Sequence, residues 1–240
     1  MRIVLRGRNL EDIRPLLLSR GLSPVEDKPD LVLCHGGDGA LLGAEREFPR
    51  VPKYPVRDRK ISQLCPAHSY ERLFDDLAAG RLKTFELLKL RGASGGRELL
   101  GMNDLMVHNL NRVSAIRYQV WIDDEPYSHE VVGDGVCVAT PHGSTAYYRS
   151  ITHSVFRLGI GLAFSNSTEP LNHLVLPEGT VVRIKVTRGP ALLVSDNDPT
   201  QLELAEGDEV VIAKATETAV VLGLDTFMCE TCRKLRHPGE

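Results

Sequence analysis

One stretch constrains this chain more than any other: Gly133 to Tyr147, which reads Gly-Asp-Gly-Val-Cys-Val-Ala-Thr-Pro-His-Gly-Ser-Thr-Ala-Tyr. Gly133-Asp134-Gly135 frees the backbone on both sides of one carboxylate. Val136 to Ala139 is a short apolar run of the kind that fills a buried strand. Pro141 and Gly143 end that strand, and Ser144-Thr145 can cap a helix that follows. Backbone N–H groups, two hydroxyls and a carboxylate thus stand at the two ends of one short strand. Such a set suits the ribose and phosphate groups of a nucleotide. It also fits a plain strand between two ordinary turns, and local chemistry alone favours that simpler reading.

A second glycine-rich turn lies upstream. Leu31 to Cys34 is an apolar strand, His35-Gly36-Gly37-Asp38-Gly39 follows at once, and Ala40 to Glu47 reads as a helix. Strand, glycine loop and helix is the order in which backbone N–H groups face a phosphate. Gly36, Gly37 and Gly39 are small enough to let phosphates reach the backbone, and Asp38 is a carboxylate set among them. A tight turn with a solvated Asp has the same residues. No Walker A motif and no Gly-x-Gly-x-x-Gly occurs, which argues against a P-loop NTPase and a conventional dinucleotide-binding domain. A third motif is Asn103-Asp104, ahead of a strand-like run. Asn donates and accepts while Asp accepts, so the pair can satisfy a ribose diol. A turn before a strand is the plainer alternative.

The 240 residues, 42% hydrophobic, suffice for one large domain or two small ones with real cores. A net charge of −3 gives no global electrostatic case for nucleic acid or an anionic membrane. No apolar run is long enough to span a bilayer, and Met1 to Leu5 begins a strand rather than a signal peptide, so a cytoplasmic chain is expected. Five cysteines fit that compartment. Cys34 and Cys137 lie in apolar runs and read as buried free thiols; Cys65 lies in a loop. Cys229-x-x-Cys232 is followed by His237. A zinc site needs four ligands and no second Cys pair is present, so no metal is assigned and a solvated tail is expected.

Elsewhere, Asn9 is expected to cap a helix over Leu10 to Arg20 that stops at Gly21. Ser69 to Ala79 reads as an amphipathic helix closed by Gly80, and Thr84 to Leu90 as a strand. Arg91 to Arg97 reads as a hairpin loop or linker. Beyond it, Ile116, Tyr118, Val120 and Ile122 alternate ahead of an Asp123-Asp124 turn. Val181 to Val186, Ala191 to Ser195, Gln201 to Leu204, Glu209 to Ala213 and Ala219 to Leu222 continue the pattern, so the second half is expected to be all β.

Taken together, the three motifs resemble those of the NAD kinases, the ATP-dependent enzymes that make NADP. The family signature runs Gly-Asp-Gly, an apolar strand, then Thr-Pro-x-Gly-Ser-Thr-Ala-Tyr, matched here by residues 133 to 147. The Gly-Gly-Asp-Gly motif is shared with the related diacylglycerol and sphingoid-base kinases, and Asn103-Asp104 stands where the family has Asn-Glu or Asn-Asp. The resemblance implies an α/β N-terminal domain over 1–97, a β-sandwich-like domain over 98–222, and a segment 223–240 that packs back on the first. It places the active site in the cleft between domains and implies a homodimer or homotetramer. The reaction would move the ATP γ-phosphoryl group, with Mg²⁺, to the adenosine 2′-hydroxyl of NAD. Asp38 would orient or deprotonate that hydroxyl, and Gly36, Gly37 and Gly39 would face phosphates. Asn103 and Asp104 would hold a ribose of NAD, and Asp134 would fix the far side of the dinucleotide. Thr140, Ser144, Thr145, Ala146 and Tyr147 would line the NAD pocket.

The chain departs from the pattern after residue 54. Where the family carries a second glycine loop, this chain has Tyr54-Pro55-Val56-Arg57-Asp58-Arg59-Lys60. Arg57, Arg59 and Lys60 either replace that loop by contacting nucleotide phosphates or form a solvated charged loop. Two competing functions follow: a non-catalytic NAD(P)-binding or regulatory protein, favoured by the missing loop, and a lipid kinase, which would need an apolar groove or a basic membrane-facing surface.

Overall fold

The computed structural model of the chain describes residues 1–236; His237 lies outside the described residues. In chain order the strands are β1 (Ile3–Gly7), β2 (Leu31–His35), β3 (Lys53–Val56), β4 (Thr84–Leu87), β5 (Leu90–Ser94), β6 (Arg97–Gly101), β7 (Asp104–Asn109), β8 (Ile116–Ile122), β9 (Glu125–Pro126), β10 (Val131–Gly133), β11 (Gly135–Ala139), β12 (Ile160–Ser165), β13 (Leu174–Leu176), β14 (Val182–Arg188), β15 (Ala191–Ser195), β16 (Leu202–Leu204), β17 (Glu209–Lys214) and β18 (Ala219–Leu222). The α-helices are α1 (Arg14–Leu18), α2 (Asp38–Glu47), α3 (Tyr70–Ala78), α4 (Tyr147–Thr152), α5 (Leu224–Phe227) and α6 (Glu230–Arg236). Two units result: Met1–Leu87 with the segment from Ala219 onward, and Leu88–Thr218. Among the described residues no helix is long and apolar enough to cross a membrane.

The first unit is α/β. Strands β1, β2, β3 and β18 run parallel, and β4 closes the edge antiparallel to β18. Insertion of β18 between β3 and β4 is what brings the C-terminal segment into this unit. Every residue of β2 is buried, as an unbroken apolar run requires when both sheet faces are covered. Helix α3 buries Tyr70, Leu73, Phe74 and Leu77, the i, i+3, i+4, i+7 stripe, against Ile3, Leu5, Leu33 and Tyr54. Ser69 caps it by accepting the Arg72 N–H at 3.4 Å, and Gly80 ends it at φ 65°.

Two expectations for this unit change. Leu10 to Arg20 is not one helix: a 3-10 turn over Leu10–Asp12 precedes α1. Pro15 sits in the first turn of α1, where its missing N–H costs nothing, so the helix starts afresh there. Asn9 does not cap; its side chain donates to Asp58 at 2.7 Å instead. Nor is the C-terminal segment a solvated tail. Cys232 on α6 is 2% exposed, and its sulfur accepts the Cys65 N–H at 3.3 Å.

The second unit is all β. One antiparallel sheet has the order β10-β8-β14-β17-β5-β6, with β9 on β8; the other runs β13-β12-β11-β7-β15-β16. Alternate residues of each sheet point into a shared core, with Leu105, Val107, Val136, Val138 and Leu193 meeting Tyr118, Val120, Ile184, Val210 and Ile212. On the outer face of the second sheet, Met106, Cys137, Ala139 and Ala163 pack under Tyr148 of α4, which meets Phe156 edge-on at 4.9 Å. Asp123 and Asp124 adopt φ 48° and 67°, the primed turn that suits a two-residue hairpin. The expected loop over Arg91 to Arg97 shrinks to Gly95-Gly96, because β5 and β6 pair in register up to Ser94 and Arg97. Since β5 also pairs with β17, this hairpin belongs to the second unit, which begins at Leu88.

Candidate active site

The glycine loop of the first unit begins where β2 ends. Gly36 has φ 152°, and its N–H donates to the Val56 carbonyl at 2.9 Å, tying the loop to the end of β3. Gly37 is the N-cap of α2, so the helix starts at Asp38 rather than Ala40. Gly37, Asp38 and Gly39 are exposed at a helix N-terminus, which carries partial positive charge. Arg57 reaches Asp38 with a guanidinium N–H 3.3 Å from the carboxylate, and lies 3.6 Å over the Phe227 ring.

Buried His35 underpins the loop. Its Nδ1–H donates to the Arg8 carbonyl at 2.6 Å, which leaves Nε2 to accept the Tyr70 hydroxyl at 2.6 Å. That hydroxyl accepts the Arg59 N–H at 2.9 Å. The ends of β2 and α3 and the segment after β3 are thereby knit together. The three cations that stand where the family has its second glycine loop take separate partners. Arg57 pairs with Asp38, Arg59 lies 4.8 Å over the Tyr70 ring, and Lys60 pairs with Asp12 at 2.7 Å. Of the three, Arg57 is the one in contact with the glycine loop.

The second unit holds the other candidates around the turn before β7. The pairing of β7 with β11 sets Asp104 opposite Ala139, so Thr140 and its successors leave the sheet beside Asn103 and Asp104. The Thr140 hydroxyl donates to the Met102 carbonyl at 2.6 Å and accepts the Gly143 N–H at 3.0 Å, while the Thr140 N–H donates to the Asn103 carbonyl at 2.8 Å. Gly143 has no room for a side chain, because a Cβ there would lie 2.0 Å from the Asn103 carbonyl oxygen. Thr140 and Gly143 of this octet thus fix one turn.

Asp196, which the sequence reading missed, fixes the same turn from the other side. Its carboxylate accepts the N–H groups of Met102, Asn103 and Asp104 at 2.8, 2.8 and 3.1 Å. The available signal was an Asp-Asn-Asp turn directly after β15, with Asp196 at φ 46°. A buried carboxyl, Asp104, and a half-buried one, Asp196, therefore sit close together. Burial, then the charge of Asp196, pushes the Asp104 carboxyl up to about 7, with the Tyr147 N–H opposing the rise. Burial also raises Asp196, against its three N–H donors. The side-chain oxygen of Asn103 is buried without a hydrogen-bond partner.

The remaining predicted residues divide. Ser144 and Thr145 do not cap a helix: a 3-10 turn over Gly143–Thr145 intervenes, and Ala146 precedes α4 with no side-chain cap. The buried Ser144 hydroxyl lies 2.8 Å from the Pro141 carbonyl and 3.0 Å from that of Phe156. Thr145 is exposed, Ala146 half-buried, and Tyr147 is 55% exposed. Asp134 precedes β11 while Thr140 follows it, so the two are about 20 Å apart at strand rise. There the Asp134 carboxylate accepts the Asn166 amide at 2.7 Å.

Comparison with known proteins follows the same lines. The family model described as the ATP-NAD kinase C-terminal domain matches residues 102–224, just over half of the chain. The NAD kinase of Magnetococcus marinus is 28% identical over 240 residues, covering 91% of this chain and 78% of that one. The NAD kinase of Sodalis glossinidius is 27% identical over 216 residues, covering 82% and 72%. The crystal structure of an NAD kinase from Archaeoglobus fulgidus in complex with ATP superposes with a TM-score of 0.78 over 97% of this chain and 99% of that one; at 16% identity it speaks to the fold alone. With an α/β unit, a two-sheet β unit and the family's C-terminal domain model over residues 102–224, this chain belongs to the NAD kinase family.

Proposed function

We propose that this chain is an ATP-dependent NAD kinase that transfers the γ-phosphoryl group of Mg²⁺-ATP to the adenosine 2′-hydroxyl of NAD. The observation that carries the reading is the Asn103-Asp104 turn. Asp196, Thr140 and Gly143 hold it rigid, and it offers one carboxyl group and one buried, unpartnered amide oxygen. A ribose diol supplies two O–H donors, the complement of those two acceptors. Rigid presentation matters, because each acceptor left unpaired in a dry site costs about 1–3 kcal/mol and so rejects ligands without the diol.

In the first unit, the exposed glycine loop and the N-terminus of α2 favour the phosphates of ATP. Asp38 is the carboxylate that would orient or accept the proton of the attacking hydroxyl and meet the Mg²⁺ that arrives with ATP. Phosphoryl transfer is mainly positioning and charge neutralisation. Arg57 supplies a cation beside Asp38 where relatives have glycine backbone, and its place over Phe227 pre-orients it. Thr140 and Ser144 act as scaffold, their hydroxyls being committed to carbonyls. Thr145, Ala146 and Tyr147 are left to meet the dinucleotide, and Asp134 its far end. By family likeness the working form is a cytoplasmic homodimer or homotetramer. The missing second glycine loop favours a non-catalytic role, and the intact Asp38 and Asn103-Asp104 oppose it.

The test is to incubate purified protein with NAD and Mg²⁺-ATP and measure NADP with an NADP-specific dehydrogenase. NADP formation by the wild type, absent in Asp38→Asn, is expected. A protein that binds NAD but makes no NADP would overturn the reading.

A further inference from the structure

Four metal-ligating side chains meet in the first unit, away from the glycine loop. Cys65 and His68 come from the segment before α3, and Cys229 and Cys232 from the start of α6. Their ligand atoms all lie within 4.8 Å of one another. His68 Nδ1 is 3.4 Å from Cys65 Sγ and 3.5 Å from Cys232 Sγ. A tetrahedral zinc ion with bonds of about 2.3 Å to sulfur and about 2.0–2.1 Å to nitrogen sets its S···N edges at about 3.6 Å. His68 already stands at that spacing from two of the sulfurs.

Local chain geometry favours the same occupant. Cys65-x-x-His68 and Cys229-x-x-Cys232 have equal, two-residue spacing, and each first Cys immediately precedes a helical turn. Such turns aim backbone N–H groups at sulfur. The Cys65 N–H donates to Cys232 Sγ at 3.3 Å, and the N–H groups of Thr231 and Cys232 reach Cys229. These bonds spread the negative charge of coordinating thiolates. Cys65 and Cys232 are buried, and His68 and Cys229 half-buried, so the cluster is shielded yet reachable. Three sulfurs and an imidazole select a soft ion over Mg²⁺ or Ca²⁺.

We propose that Cys65, His68, Cys229 and Cys232 hold a structural Zn²⁺ ion in a closed Cys₃His tetrahedron. Four protein ligands leave no position for water or substrate, so the ion takes no part in phosphoryl transfer. It clips α6 to the segment before α3. Phe227, two residues before Cys229, carries Arg57, and Arg57 pairs with Asp38. The ion therefore secures the ground on which the glycine-loop cation rests. The chain has no second Cys pair because the second ligand pair is Cys-x-x-His and lies far upstream.

The test uses the untagged full chain, expressed with zinc and purified under reducing conditions. Mass spectrometry for metals should find about one zinc per chain. Cys65→Ser and Cys229→Ser should each lose it, while Cys34→Ala, altering a thiol elsewhere in the unit, should keep it. Should the serine variants not fold, Co²⁺ exchanged into the wild type reports directly, through intense thiolate-to-cobalt absorption and tetrahedral d–d bands. Zinc-free wild type, zinc retained by both serine variants, cobalt without those bands, or a disulfide among these cysteines in reducing buffer would each overturn the proposal. Metal content is independent of NADP formation, so its failure would leave the kinase reading standing.

Discussion

Replacing Asp104 by Asn should make the protein more stable and a weaker binder of NAD. The carboxyl is 3% exposed, and burial with the nearby Asp196 charge holds it at about 7 instead of its ordinary 3.8. Charging it in the folded state therefore costs about 4 kcal/mol. The sign follows from the direction. The folded carboxyl binds its proton more tightly than the unfolded one. The stabilisation by protonated Asp104 is complete below about pH 4 and is lost as pH rises through about 7. Asn keeps the shape, and its oxygen can still accept the Tyr147 N–H, but it never carries the charge. Scanning calorimetry of wild type and variant at several pH values between about 4.5 and 8.5 checks this. The variant's advantage should be small at the acid end, grow through neutrality and level off above it. Calorimetric titration of NAD should show the opposite trade, a loss of about 1.5–3 kcal/mol, or roughly tenfold or more in affinity, with ATP affinity unchanged. An advantage that does not grow with pH would refute the electrostatic account of this turn. Equal losses for ATP and NAD would refute its assignment to NAD.

Asp38→Asn should abolish turnover while shifting stability by less than about 1 kcal/mol, since the Asp38–Arg57 pair is exposed on the carboxylate side; turnover and thermal unfolding measured together check both. Gly143→Ala should cost more than about 2 kcal/mol and weaken NAD binding, because its Cβ would meet the Asn103 carbonyl oxygen at 2.0 Å; thermal unfolding and NAD titration decide it. Glu45→Ala should cost about 3–5 kcal/mol, since Lys53, 0% exposed, would keep a buried ammonium group without its carboxylate. A change below about 1 kcal/mol on denaturant unfolding would show that Lys53 is neutral or that water reaches it.

What the sequence revealed depended on how local the cause was. The alternation of Ile116, Tyr118, Val120 and Ile122 and the primed Asp123-Asp124 turn are set by neighbours two residues apart, and β8 and its hairpin read correctly. The i, i+3, i+4, i+7 stripe of α3 did likewise. Motif residues were legible as a set, but the division of labour among them was not. Ser144 looks like a helix cap until the 3-10 turn interposes and two distant carbonyls claim its hydroxyl. Arg57, Arg59 and Lys60 look like one cationic cluster, yet the turn that follows β3 sends each to a different partner. Asp196, the buried His35–Tyr70 link and the meeting of Cys65 and His68 with Cys229 and Cys232 all depend on chain segments brought together only by sheet order and tertiary packing. No local pattern announces such contacts.

The most direct measurement follows the phosphoryl group itself. Incubate the full chain with NAD and ATP labelled at the γ-phosphate, in Mg²⁺, under single-turnover conditions, and locate the label by chromatography and NMR. The account predicts label on the adenosine 2′-oxygen of NAD, appearing in step with ATP loss and absent with Asp38→Asn. Label released as inorganic phosphate, or found on any other hydroxyl, would contradict it.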